Sequence, residues 1–107
     1  MTLGQTQRKF SRCVAMLILK AYKMGYEVSL GDAYRDPRTT HGSPTSNHRK
    51  RLAIDLNLFW DGRYLRSTES HRPLGEYWER LGTRQGLPLR WGGRFSNADG
   101  NHYECNR

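Results

Sequence analysis

Two separated segments of the chain carry the side chains that a hydrolytic metal site requires. His48 and Asp55 belong to the first segment, whereas Asp99 and His102 belong to the second, close to the C-terminus. A catalytic zinc ion takes three protein ligands from His, Asp, Glu or Cys and keeps one position open for water. His48, Asp55 and His102 could be those ligands. Asp99, three residues before His102, could then be the general base that acts on the water.

Each of these residues also has a simpler interpretation. Asp55 could be a carboxylate at a sheet edge, and Asp99 could belong to an ordinary turn. A guanidinium at Arg35 could hold the polarised carbonyl oxygen of a scissile amide, or it could only pair with a neighbouring aspartate. The two remaining histidines, His41 and His71, are predicted to be solvated loop residues.

Length and charge restrict the class of protein. A chain of 107 residues forms one domain with a single modest core, and we expect a monomer. The formal net charge of +8 arises from 18 basic against 10 acidic residues. This balance favours an anionic partner, such as nucleic acid, a membrane surface or a bacterial envelope. The bases are scattered and match no recognition motif, so we expect no specific nucleic-acid binding.

The apolar stretches are too short to cross a membrane, which takes roughly 20 residues. The longest stretch, 14–19, is followed by Lys20 instead of a cleavage site of small residues. We therefore predict a helix and not a signal peptide, and we expect folding in a cytoplasm. Cys13 and Cys105 are predicted to be reduced thiols, with a bridge between them as the alternative.

Hydrophobic periodicity predicts the elements in the first half of the chain. Residues 8–24 have the apolar spacing of an amphipathic helix, which Gly25 would cap, and residues 1–6 are expected to be frayed. A strand is predicted over 26–30. Residues 36–47 show no periodicity, and this composition predicts a long loop of the kind that often carries function.

The second half predicts a hairpin, a helix and a last strand. Residues 53–60 alternate as a strand and are followed by a hairpin turn at 61–62. A helix is predicted to begin near Pro73 and to continue to Gln85. Strand parity places His102 and Glu104 on one face of the last strand. The order of elements predicts an α+β fold, with a small antiparallel sheet and packed helices in a single domain covering 1–107.

Two motifs resemble the signatures of a known family. The pattern Ser46-x-His48-x-x-Arg51-x-Ala53-x-Asp55 resembles the Ser-x-His-x-x-Gly-x-Ala-x-Asp signature of the M15 zinc peptidases, the D-alanyl-D-alanine carboxypeptidase group. The family's second signature is an acidic residue three before a His, followed by an aromatic residue and an acid or amide. The segment 99–104 is similar to it, and Trp-Gly-Gly at 91–93 precedes it as in the family.

The resemblance assigns roles to individual residues. It implies zinc (Zn²⁺) held by His48, Asp55 and His102, with Asp99 as the catalytic base. Arg35 would correspond to the family's arginine, and Ser46 would correspond to a serine that lies near the substrate. Two positions depart from the family pattern: Arg51 replaces its Gly, and the base is Asp where Glu is common.

The resemblance further implies a zinc-dependent peptidase that hydrolyses an amide bond in the peptide stem of bacterial peptidoglycan. The expected form is a phage endolysin that cuts the L-Ala–D-Glu bond on the cell wall after release from the host cytoplasm. A carboxypeptidase that removes terminal D-Ala is an alternative, for which Arg38, Arg49 and Arg51 could bind the free carboxylate. A non-catalytic basic module that binds the envelope or nucleic acid is the alternative from another class.

Overall fold

Two helices and a five-stranded antiparallel sheet form the domain. The computed structural model describes all residues from Met1 to Arg107. The elements, in chain order, are α1 (Leu3–Lys23), β1 (Glu27–Leu30), β2 (Ala53–Trp60), β3 (Arg63–Tyr64), α2 (Thr68–Gln85), β4 (Leu89–Trp91) and β5 (His102–Cys105), with short 3₁₀ helices at Asn47–Lys50 and Gly92–Arg94. The predicted α+β architecture is confirmed.

The sheet has the strand order β1-β2-β5-β4, with β3 paired to the end of β2. Both helices pack on one face of this sheet, where alternate residues of the central strands are apolar. Leu56 and Leu58 of β2, together with Tyr103 and Cys105 of β5, are almost completely buried there. Because successive strand residues point to opposite faces, the residues between them belong to the other face, on which neither helix packs. The predicted strand 53–60 and its hairpin turn are confirmed.

Both helices begin earlier than the periodicity predicted, so the predicted fraying of residues 1–6 is wrong. Thr2 caps α1 through a capping box, in which its hydroxyl accepts from the Gln5 N–H at 3.1 Å and the Gln5 side chain accepts from the Thr2 N–H at 2.8 Å. Ser67 caps α2 in a similar way by accepting from the Ser70 N–H at 3.1 Å. Pro73 therefore lies inside α2 and does not start it. Side-chain caps satisfy N–H groups that periodicity does not consider.

The prediction that His71 is a solvated loop residue is wrong. His71 lies in α2, is only 3% exposed, and its Nδ1 is 3.2 Å from the hydroxyl of Tyr103 in the core. Burial lowers the pKa of His71, so the imidazole is held neutral. His41 is exposed in the loop, as predicted.

The cysteines and the long loop agree with the prediction. Cys13 and Cys105 are buried free thiols, and burial raises the pKa of each. No regular element lies between β1 and Asn47. The Arg49 guanidinium holds this loop in place by donating to the carbonyls of Pro37 at 2.7 Å and Thr39 at 2.8 Å. Neither helix is sufficiently long and apolar to cross a membrane.

Candidate metal centre

Strand pairing brings two of the predicted ligands together. In the antiparallel ladder between β2 and β5, Asp55 lies directly opposite His102, and Ala53 lies opposite Glu104. Side chains of directly opposite residues project to the same face. Asp55, His102 and Glu104 are therefore neighbours on the face of the sheet that the helices leave uncovered.

A 3₁₀ helix carries the third predicted ligand, His48. Ser46 caps Asn47–Lys50 by accepting from the His48 N–H at 3.2 Å. The helix ends at Arg51, which adopts a left-handed conformation with φ 57°. Glycine adopts this conformation most readily, which accounts for the glycine of the family signature at this position. Here the Arg51 guanidinium stacks on Tyr34, 4.0 Å from the centre of the ring.

The three predicted ligands converge on one point. Nε2 of His48 and Nδ1 of His102 each lie 3.3 Å from Oδ1 of Asp55. One donor atom from each residue lies within 4.8 Å of the other two. Both imidazoles are buried, and the carboxylate is half-buried between them.

The outer nitrogen of each imidazole is bound by the protein. Nδ1 of His48 donates to the Ala33 carbonyl at 2.8 Å, and Nε2 of His102 donates to Oε1 of Glu104 at 2.8 Å. With these protons in place, the inner nitrogens point unshared electron pairs at the Asp55 carboxylate. A metal ion between them, or a further proton on an inner nitrogen, makes that arrangement favourable. Two neutral imidazoles and one carboxylate are a donor set that suits zinc. The outer nitrogen of each imidazole is hydrogen-bonded to an oxygen, as is usual for histidines that bind zinc.

The pKa values of Asp55 and His102 also show that this site favours positive charge between the two groups. Burial alone would raise the pKa of Asp55, but hydrogen bonds to His102 and His48 hold it at about 2. Burial alone would lower the pKa of His102, but Asp55 and Glu104 raise it to about 9. Without a metal, a proton on His102 therefore partly takes the place of the cation.

Glu104 is a site residue that the sequence did not assign. Its side chain is 5% exposed and accepts from Arg90 through Nε at 2.8 Å and Nη2 at 2.6 Å, in addition to His102. Burial alone would raise the pKa of Glu104, but the hydrogen bonds from His102 and Arg90 hold it at about 2. The shared strand face of His102 and Glu104 was the signal available in the sequence.

Backbone and indole hydrogen bonds position Asp99. Its N–H donates to the Gly92 carbonyl at 2.9 Å, and its carbonyl accepts from the His102 N–H at 3.1 Å. The buried Trp91 indole donates to the carbonyl of Gly100 at 2.7 Å and holds the same turn. This accounts for the Trp-Gly-Gly segment, because it anchors the turn that carries Asp99.

Asp99 is an exposed residue, and its carboxylate makes no ion pair within the protein. Protein atoms that displace water from around it raise the pKa of Asp99, and the charge of Asp55 adds to this effect. A free carboxylate with a raised pKa is suited to accept and return a proton.

Arg35 lies beside the centre but beyond the first strand, since β1 ends at Leu30. Its N–H donates to the carbonyl of His48 at 3.1 Å. Its guanidinium lies 3.7 Å from an Asp32 oxygen and against Gly42, where a Cβ atom would collide with it. The side chain is 12% exposed, because the long loop encloses it. Its one ion pair is long, so most of the guanidinium N–H groups remain available to donate to another group.

The fold and the donor set define a class: a small α+β domain in which two histidines and one carboxylate form a candidate metal site. Within this class, the family profile described as D-alanyl-D-alanine carboxypeptidase, of the M15 peptidases, matches residues 39–105. The chain therefore belongs to the M15 peptidase family.

A solved structure shows the same fold. The L-Ala D-Glu endopeptidase ChiX of Serratia marcescens superimposes with a TM-score of 0.72 and 16% sequence identity, covering 92% of this chain and 79% of that chain. No curated protein sequence matches significantly.

Proposed function

We propose that this chain is a zinc-dependent peptidase that hydrolyses an amide bond in the peptide stem of bacterial peptidoglycan. The observation that carries the proposal is the convergence of His48, Asp55 and His102 next to the free carboxylate of Asp99, in a chain of the M15 family. His48, Asp55 and His102 would hold the metal. When bound, zinc lowers the pKa of water towards about 7 and polarises a carbonyl group.

Residues of this chain would transfer the protons and stabilise the negative charge that develops on the carbonyl oxygen. Asp99 takes a proton from the attacking water as the water oxygen bonds to the carbonyl carbon. When the carbon–nitrogen bond breaks, Asp99 passes that proton to the leaving amine. The Arg35 guanidinium donates to the carbonyl oxygen as negative charge develops there. Ser46 positions His48 through its cap, and we propose that its hydroxyl also lies near bound substrate.

We propose that the bond cut is the internal L-Ala–D-Glu bond, as in phage endolysins of this family. The shared fold with an L-Ala D-Glu endopeptidase supports this choice. A carboxypeptidase needs a free cation for the terminal carboxylate, and the three arginines considered for that role are engaged elsewhere. Arg38 pairs with Asp36 at 2.7 Å, Arg49 holds the loop, and Arg51 stacks on an aromatic ring.

Removal of terminal D-Ala is the second candidate, because the matching family profile is described by that activity. A non-catalytic envelope-binding module is less favoured, because such a module has no use for three converging ligands and a free carboxylate.

Mass spectrometry of defined soluble stem peptides, incubated with the protein with and without a chelator, separates these functions. Chelator-sensitive cleavage between L-Ala and D-Glu is the expected result. Loss of a terminal D-Ala would identify a carboxypeptidase instead. No product with zinc supplied would refute the peptidase proposal.

A further inference from the structure

A basic groove lies between the two helices, on the opposite side of the sheet from the metal centre. It has a volume of about 830 Å³. Lys20 and Lys23 of α1 face Arg80 and Arg84 of α2 across it, and Tyr77 contributes to its lining. We call this feature the helix groove.

The four cations of the helix groove have no carboxylate partner. None of them forms an ion pair, and α1 contains no acidic residue. The carboxylates of α2 are used elsewhere: Glu69 binds Arg72, and Glu76 and Glu79 both approach Arg94.

This concentration of charge is unfavourable for the isolated domain. Arg80 and Arg84 are like charges one helical turn apart, a spacing that destabilises a helix. Lys20 and Arg84 are each attracted to the same Tyr77 ring, at 5.4 and 5.9 Å from its centre, and this shared contact keeps the two like charges close together. A bound polyanion would relieve this repulsion. Arg80 and Arg84 would bind its phosphates with paired N–H donors, and the lysines would act as point charges.

We propose that the helix groove binds a linear phosphodiester polymer of the bacterial envelope. The choice of an envelope polymer rests on the proposed function, whereas the choice of a polyphosphodiester rests on the charge of the groove. Lys20 and Lys23 lie in one row of α1, and the lining from Met16 to Lys23 extends over roughly 10 Å. An open groove with cations on both sides fits a chain, whereas a bilayer surface requires a broad apolar face.

The position of the helix groove suits a tether. The helices cover one face of the sheet, and the metal centre lies on the other. A polymer in the groove therefore leaves Asp55 and Asp99 accessible to a peptide. Groove variants should retain activity on small soluble peptides and lose activity on intact cell walls.

The test compares two double variants that remove the same charge. Arg80→Gln/Arg84→Gln neutralises one wall of the helix groove, and Arg63→Gln/Arg66→Gln neutralises two exposed arginines outside it. Affinity for poly(glycerol phosphate) is measured against salt concentration. Each lost phosphate contact lowers the magnitude of the slope of log K against log salt by about 0.7, and the groove variant loses two contacts. If the two proteins bind equally at about 1 M salt, the groove variant should bind roughly 25-fold more weakly at about 0.1 M salt. The control should change far less.

Two results would overturn the proposal. One is equal loss of affinity in both double variants, which would show that net charge alone is responsible. The other is wild-type binding only to phosphatidylglycerol vesicles or to an oligonucleotide and not to poly(glycerol phosphate). Binding needs no catalysis, so failure to cleave soluble peptides would refute the proposed function while leaving this measurement decisive.

Discussion

Substitution of Glu104 by Gln tests whether a residue outside the three proposed ligands supports the candidate metal centre. Glutamine keeps the shape of the side chain and can still accept from Nε2 of His102. It lacks the negative charge that makes the imidazole a stronger donor to metal. Its amide group would also place donors against the Arg90 guanidinium, which now donates to Oε2 at 2.6 and 2.8 Å.

The expected loss follows from the geometry. Outer partners of metal-binding histidines typically contribute about 10- to 100-fold to metal affinity, which corresponds to about 1.4–2.8 kcal/mol. The His102–Glu104 hydrogen bond is short, at 2.8 Å, and the carboxylate is 5% exposed, so water screens it little. We therefore expect a loss near the upper end for Glu104→Gln. Arg90 is half-exposed, so water can solvate it after the substitution, and the stability cost should stay near about 1–3 kcal/mol.

The assay is competition for zinc with a chromogenic chelator, and the protein offers a matched control. Glu79 accepts from Arg94 through Nε at 3.0 Å and Nη2 at 3.1 Å, the same type of pair, but it contacts no histidine. Glu79→Gln should leave zinc affinity within about twofold. Peptidase activity of Glu104→Gln should recover at saturating zinc.

One result would refute this reasoning about Glu104. If folded Glu104→Gln binds zinc as tightly as the control, the carboxylate does not tune His102. The Glu104 side chain would then have only a structural role beside the strand.

Three further predictions address the base, the turn and the core. Asp99→Asn should retain zinc affinity but lower kcat by about 10²- to 10⁴-fold, because it removes the proton acceptor. The kcat is measured at saturating zinc and peptide. Loss of zinc as well would mean that Asp99 is a ligand. Gly92→Ala should lower the free energy of unfolding by about 1–3 kcal/mol in denaturant titrations, because its Cβ would collide with the Asp99 carbonyl oxygen; an unchanged midpoint would contradict the packing. Because the folded-state pKa of His71 is lowered, its stabilisation is present above the unfolded pKa of about 6.5 and is lost as the pH falls below it. Between about pH 8 and pH 5.5, wild type should therefore lose more thermal stability than His71→Gln, and parallel losses would contradict the neutral buried imidazole.

Local sequence signals determined much of the fold. The alternation over 53–60 and the Asp-Gly turn predicted β2 and its hairpin, because both depend on residues within a few positions of one another. The helix starts were harder to predict. Thr2 and Ser67 cap N–H groups outside the apolar repeat, so a prediction from periodicity alone begins each helix too late.

The sequence by itself also determined which residues could make the metal centre. His48, Asp55 and His102 have the right chemistry in the order of a known family signature. Their convergence, however, depends on the register of β2 against β5, and no short-range pattern sets the pairing of strands so far apart in sequence.

Only the tertiary structure decided the states of the surrounding groups. Glu104 supports His102, and His71 is neutral in the core, because each is buried among groups from distant segments. Likewise, the basic residues were visible in the sequence as scattered charges, but packing of α1 against α2 brings four of them together without a counterion. Residue types and local periodicity are properties of the chain, whereas burial, protonation and charge density depend on which distant segments come together.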